Sequence, residues 1–285
     1  MLKSFQKKPS ICKMFIIYCI FLALNAQFLN AHEFSYPQDR AANTKLRIIG
    51  GNEAIPHSIG YQVGIRIEQS EITTFCGGSL ITSSYVLTAA HCLRDVVSLE
   101  VILGAHNISK REWVQVRLTP KNYTIHPEWD LAHLTNDIAL IKLPKPVKTG
   151  LFIKTVALPK GDNDDYSGDT ALLSGWGMTK YNDTIPSTLQ YATSTILSNK
   201  DCRKIEPFGK VIEDTHLCLS SRGRISSCDG DSGGPLVVEG VQVGVVSFTI
   251  KQCKLTKPSV FTRVSKYLDW IEANSDWNRK KATSR

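Results

Sequence analysis

Gly230-Asp231-Ser232-Gly233-Gly234-Pro235 decides the reading of this 285-residue chain. A serine set among glycines has little bulk around its hydroxyl, so a carbonyl carbon can approach it closely. The neighbouring backbone N–H groups can point at the same spot, where an acyl-transfer oxyanion would form. The plain alternative is a glycine-rich turn between strands, with the serine making a local hydrogen bond. A serine hydroxyl also needs a base to take its proton, so the histidines decide between the two.

Read as Gly-x-Ser-x-Gly, the segment also fits the nucleophile elbow of an α/β-hydrolase, where the base follows the serine in the chain. All seven histidines (His32, His57, His91, His106, His126, His133 and His216) precede Ser232, which excludes that order. The order His, Asp, Ser stays open. It is filled by Thr88-Ala89-Ala90-His91-Cys92, then Asn136-Asp137-Ile138-Ala139-Leu140, then Ser232.

These three segments resemble the signature blocks of the chymotrypsin-like, trypsin-fold serine proteases, and the resemblance spans 48–274. It implies an all-β fold of two six-stranded antiparallel β-barrels with a C-terminal α-helix and the active site between the barrels. It further implies that His91 is the general base, that Asp137 orients the imidazole, and that Ser232 attacks the scissile carbonyl. The N–H groups of Gly230 and Ser232 would hold the oxyanion, where losing one donor costs roughly 2.7–4 kcal/mol of transition-state stabilisation. His106, His126 and His133 lack supporting context and read as structural or exposed. A catalytically inactive homologue acting as a binding or regulatory protein is the alternative function. Such proteins usually lose a triad residue, and here all three are present.

The start of the chain reads as a targeting segment. Lys3, Lys7, Lys8 and Lys13 precede an apolar run over 14–24, too short to span a membrane and suited to a signal-peptide core. A signal peptide over 1–31, cleaved after Ala26 or Ala31, implies a secreted, extracellular product. Residues 32–47 read as a short pro-segment ending in Leu46-Arg47-Ile48-Ile49-Gly50-Gly51, and 48–285 as the protease domain. Cleavage after Arg47 by an activating trypsin-like protease would free the α-amino group of Ile48 to pair with Asp231 and shape the oxyanion hole. Burial beside a carboxylate raises such an amine above its usual ~7.7–8.0, so activity is expected to fall reversibly at alkaline pH.

The formal charge of +8 is concentrated at the ends. Residues 1–47 hold seven Lys/Arg and two Asp/Glu, which leaves 27 against 24 in the rest. Four of those 27 lie in the basic tail 278–285, which reads as a solvated end. A near-neutral body gives nucleic-acid binding little support. The expected partners are protein or peptide substrates, the activating protease and protein protease inhibitors, with no nucleic acid and no membrane, and the chain is expected to be a monomer.

Of eight cysteines, Cys12 and Cys19 lie in the segment expected to be removed. The other six suit an oxidising compartment and allow fifteen pairings. The family resemblance selects Cys76–Cys92, Cys202–Cys218 and Cys228–Cys253, each worth on the order of 3 kcal/mol through loop closure. The sequons at Asn107, Asn122 and Asn182 fit N-glycosylation acceptors. Loop 104–115 aligns with the calcium loop of trypsin, but Ala105 and Gln115 replace two acidic ligands and leave only Glu112. Calcium takes several oxygen ligands, so no tight metal site and no cofactor are expected.

Short β-rich runs at 61–67, 85–89, 99–103, 113–118, 138–143, 171–176, 241–248 and 259–263, separated by Gly, Pro, Asn and Asp, predict a sandwich or barrel. One helix is predicted over 266–274, where Leu268 and Ile271 with Tyr267 and Trp270 form an apolar face. For substrate selection, the resemblance puts Ser226 at the floor of the specificity pocket, where trypsin-like members carry an aspartate. Thr249 and Ser259 occupy the walls, where large-pocket members have glycine. Ser247 and Phe248 line the strand that binds substrate backbone. A small or medium uncharged residue before the cut bond is expected, with an aromatic residue as the alternative.

Overall fold

The computed structural model describes residues 51–162, 165–178, 185–222, 225–249 and 257–282. Strands dominate them, and both sheets belong to one unit, Thr44–Arg285. In chain order the strands are β1 (Asn52–Glu53), β2 (Gln62–Glu68), β3 (Thr73–Leu80), β4 (Tyr85–Thr88), β5 (Ser98–Leu103), β6 (Val116–Leu118) and β7 (Asn122–Ile125). They continue as β8 (Ala139–Lys142), β9 (Thr170–Gly175), β10 (Gln190–Leu197), β11 (His216–Leu219), β12 (Pro235–Val238), β13 (Val241–Phe248) and β14 (Ser259–Arg263).

The first sheet runs β6-β5-β2-β3-β4-β8-β7, all antiparallel. β6 pairs with β5 and β7 with β8, and only Thr119-Pro120-Lys121 separates them. Proline offers no N–H to a ladder, so β6 and β7 read as one strand broken at Pro120, and the expected count of six holds. The second sheet runs β1-β10-β11-β14-β13-β12-β9, and β9 also pairs with β10. That pairing closes β9 to β14 into a six-stranded barrel, to which the two-residue β1 is added.

Alternation fills the two interiors. Along β10, Gln190, Ala192, Ser194 and Ile196 are buried while Thr193 and Thr195 are exposed, the period of two expected of a strand with one face inward. Val63, Ile65, Ile67, Val86, Leu87, Leu99, Val101 and Leu140 build the first core. Leu173, Leu217, Leu236, Val243 and Phe261 are central to the second.

Three α-helices occur among the described residues. α1 (Asn199–Arg203) is capped by Ser198, whose Oγ accepts from Asp201 N. α2 (Leu268–Asn274) follows a 3-10 turn at Val264–Tyr267, so the predicted helix starts as a tighter turn. Its Leu268 and Ile271 pack into the first core. α3 (Arg279–Ala282) lies in the segment expected to be a solvated end; there Lys280 is exposed, while Arg279 donates to Asp269 at 2.5 Å and, through its main-chain N–H, to Glu272 at 3.1 Å. The run predicted at 113–118 shortens to β6, because residues 112–115 turn (Gln115 N to Glu112 O, 3.0 Å) and leave Trp113 86% exposed.

Candidate active site

The chain direction of two neighbouring strands brings the first two site residues together. β4 and β8 are antiparallel, with Thr88 opposite Ala139. His91 follows the end of β4 in a 3-10 turn (Ala90–Leu93), and Asp137 precedes the start of β8, so both stand at the same end of the sheet. The His91 main-chain N–H donates to Asp137 Oδ1 at 2.9 Å, and ring Nδ1 lies 2.7 Å from Oδ2. A carboxylate only accepts, so Nδ1 is the donor, and in the neutral ring the lone pair is on Nε2. The Cys76–Cys92 disulfide ties the turn to β3, and Cys92 Sγ stands 3.7 Å from His91 Nε2.

The second sheet completes the grip on Asp137. Ser247 Oγ in β13 donates to Oδ2 at 2.6 Å, and Thr262 Oγ1 in β14 donates to the Asp137 carbonyl at 2.8 Å. Burial alone pushes this carboxyl up. The charge of His91 and the hydrogen bonds from His91 and Ser247 outweigh it and hold Asp137 below the usual carboxylate range. Both oxygens are therefore engaged in a residue only 5% exposed. Ser247 was expected to line the substrate backbone; its hydroxyl bond to Asp137 was not visible in the sequence.

The Ser232 loop lies against the same β3–β4 segment. Gly77 N donates to Ser232 O at 2.7 Å, and Gly233 N to Val246 O at 2.8 Å. Gly233 has φ +78°, and a methyl group there would overlap Thr88 Oγ1 and the Gly77 carbonyl. Only glycine permits this approach, which seats half-buried Ser232 beside the residues that lead into His91. Asp231 N donates to Cys228 O at 2.9 Å, whereas among the described residues the N–H groups of Gly230 and Ser232 have no acceptor. Among the described residues, both donors beside the serine are unspent.

Asp231 is fully buried, with Oδ1 accepting from Gly177 N at 2.8 Å and Oδ2 from Cys228 N at 3.0 Å. Burial pushes its carboxyl up to about 7 despite those two bonds, and Asp229 adds to the rise. No cation pairs with it among the described residues. Arg47 and Ile48 lie outside the described residues, as do Cys253 and Asn182. Cys228 is disulfide-bonded, and the Cys202–Cys218 bridge forms as expected.

The segment that ends at Ser232 starts on a patch of hydroxyls. Ser226 Oγ donates to Ser227 O at 3.0 Å and lies 3.4 Å from Ser259 Oγ, which accepts from Ser227 N at 2.9 Å. Ser226, Ser227 and Ser259 are almost wholly buried, and no charge lies among them. Thr249 is half-buried. Phe248 lines a cavity with His91, Asp137, Trp129, Leu131 and Leu134; no local pattern marked the last three.

The remaining candidates are placed as follows. In loop 104–115 the Glu112 carboxylate accepts from His106 N, Asn107 N and Gln115 Nε2, and Gln115 Nε2 also donates to Asn107 O at 2.7 Å. Among the described residues, the one cluster with metal-ligand geometry is Cys76, His91 and Cys92, whose sulfurs are spent in a disulfide. Asn122 is exposed on β7, and Asn107 is half-buried with its side chain accepting from Ser109 N. His133 is exposed beside Asp130, His126 packs on Tyr267 and Trp270, and His106 is buried against Glu53. No helix among the described residues is long and apolar enough to cross a membrane.

Twin antiparallel barrels that share one Asp–His pair, with a glycine-bound serine loop between them, define a serine endopeptidase of the trypsin fold. The chain belongs to the trypsin family, whose sequence model matches residues 48–271. It is similar to a chymotrypsin of Phaedon cochleariae, 42% identical over 234 residues that cover 81% of this chain and 83% of that one. It is also similar to brachyurin of Leptuca pugilator, at 38% identity over 80% of this chain and 98% of the relative. The solved structure of HL collagenase superposes with a TM-score of 0.74 at 34% identity, covering 81% of this chain and all of that one.

Proposed function

We propose that the chain is the precursor of a secreted endopeptidase in which Ser232, His91 and Asp137 act as nucleophile, general base and orienting carboxylate. The carrying observation is the double contact of Asp137 with His91, which fixes Nδ1 as a donor and so makes Nε2 the basic nitrogen of the neutral ring. His91 Nε2 takes the Ser232 proton as the hydroxyl oxygen attacks the peptide carbonyl. The resulting alkoxide draws hydrogen bonds from the two unspent N–H groups of Gly230 and Ser232. The imidazolium then gives its proton to the departing amine, leaving an acyl-enzyme that water clears by the same steps in reverse. Asp137 stabilises the transient imidazolium and stays ionised throughout, as its depressed carboxyl favours.

Activation follows cleavage after Arg47. The new Ile48 ammonium pairs with Asp231, whose buried carboxylate is otherwise costly to ionise. The buried, uncharged surroundings of Ser226 support a neutral pocket floor and an uncharged residue before the cut bond, either small to medium or aromatic. Thr249 and Ser259 narrow the walls.

The test is to cleave the recombinant precursor after Arg47 and present it with a peptide library and a fluorophosphonate. Hydrolysis after uncharged residues, with labelling at Ser232 that Ser232→Ala abolishes, is the expected result. Unlabelled, inactive processed protein overturns the assignment, and cuts mainly after Arg or Lys overturn the pocket.

A further inference from the structure

His216 takes no part in the steps above, yet it is 2% exposed and both its nitrogens are engaged. Nδ1 accepts from Glu213 N at 3.0 Å, and Nε2 lies 2.8 Å from Leu134 O, on a loop 82 residues away. A backbone N–H can only donate, so Nδ1 is bare and Nε2 is the donor. Burial, the larger influence, also lowers the ring's affinity for a second proton, against the pull of the Leu134 bond, Glu213 and Asp137. On its flank the Phe248 ring stands edge-on, with centroids 5.8 Å apart at 85°.

Leu134 needs such a partner. Its φ of +57° is unfavourable for a bulky side chain. The loop around it is pinned at its base, where Asp130 and Thr135 exchange main-chain hydrogen bonds of 3.1 Å, and its end is held by His216. Leu134 and Phe248 are both walls of the cavity beside His91, where Trp129 and Leu131 add apolar surface and Arg94 and Ser247 stand at its polar side. A single ring on the second sheet therefore fixes two walls, one through a carbonyl and the other through an aromatic edge.

We propose that His216 is a positioning residue that clamps Leu134 and Phe248 and thereby sets a preference for an apolar side chain at the second residue before the cut bond. This rests on the endopeptidase reading of the site. An extended substrate alternates its side chains, so when the residue before the cut bond enters the hydroxyl-floored pocket, the one ahead of it turns to the opposite face, towards His91 and this cavity.

The test uses processed enzyme and two peptides that differ only in Leu or Gly at that position. The parent enzyme is expected to favour the Leu peptide at least about tenfold in kcat/KM, the order expected of an apolar pocket. His216→Asn can reach Glu213 N but not Leu134 O, and is expected to lose most of that preference through KM, with kcat on the Gly peptide within about twofold. His216→Gln keeps a donor at the Nε2 position and should retain the preference. His216→Met, similar in size and lacking both polar ends, replaces the Asn variant should that fail to fold, and is expected to behave like it. Equal preference in the Asn (or folded Met) and Gln variants overturns the clamp, as does a parent enzyme that cleaves both peptides alike. Those results leave the endopeptidase reading standing. Processed protein that neither cleaves nor takes the fluorophosphonate label overturns that reading and the clamp with it.

Discussion

Asp137 receives both N–H groups of His91, the main-chain one at 2.9 Å and the ring one at 2.7 Å. The turn that carries the imidazole and the imidazole itself are thus aligned by one carboxylate. Asp137→Asn keeps the shape but presents an amide that can donate to Nδ1, which favours the tautomer with its proton on Nε2. The expected loss in kcat is about ten-thousand-fold, with an unchanged circular dichroism spectrum. A loss of less than tenfold would contradict the role given to Asp137.

Ser247→Ala removes the 2.6 Å donor to the same carboxylate. Hydrogen bonds to charged groups contribute about 1.5–3 kcal/mol, and this one helps keep Asp137 ionised. A depressed carboxyl contributes stability that is present above its unfolded value and lost as pH falls through its folded value. The variant is therefore expected to lose less stability on acidification than the parent, and to melt lower at neutral pH. Thermal melts at pH 3 to 7 measure both.

Asp231 carries the opposite sign. Its native carboxyl sits at about 7 against an ordinary 3.8, so the uncleaved chain binds a proton that the unfolded chain has shed. Its stability should fall from about pH 4 to pH 7, by on the order of 4 kcal/mol if nothing else titrates. Pairing with the Ile48 ammonium would reverse this, so cleavage after Arg47 should raise Tm far more at pH 7.5 than at pH 4.5. Equal shifts at the two pH values would count against the pairing.

Ser226→Asp places a carboxylate beside the Ser259 hydroxyl in a buried, uncharged patch. A buried charge without a partner is costly, and a substrate Arg or Lys would neutralise it. Cleavage is expected to move to basic residues, at some cost in Tm. With that change the enzyme gains the capacity to cut at Arg47, so the stored precursor should convert itself. A variant that keeps the parent's preference would show that Ser226 does not form the floor.

In loop 104–115 the Gln115 amide bridges Asn107 O and Glu112, so the one acidic side chain left at the ligand positions already has a partner. A chelator should leave Tm unchanged, and Gln115→Ala should cost about 1–3 kcal/mol of stability through unpaired acceptors.

Much of the site was legible because its residues sit at strand ends with distinctive flanks. Ala-Ala-His-Cys and Asn-Asp-Ile mark the two ends that β4 and β8 bring together. The runs at 241–248 and 259–263 coincide with β13 and β14. β3 escaped because Gly77-Gly78 at its centre reads as a break; a methyl group on Gly77 would come within 2.9 Å of Gly234 Cα, so this glycine is there to admit the Ser232 loop. β11 and β12 are short and buried throughout, without the alternation that marks a half-exposed strand. The Ser247–Asp137 and His216–Leu134 bonds span 110 and 82 residues, and nothing in either local segment announces its partner.

Asp137 is gripped by His91 from one barrel and by Ser247 and Thr262 from the other, while the Ser232 loop is stitched to both through Gly77 and Val246. The machinery thus straddles a seam. A slight parting of the halves on warming would silence turnover while each barrel still kept its own ladder, so heat should inactivate this enzyme some degrees before it melts.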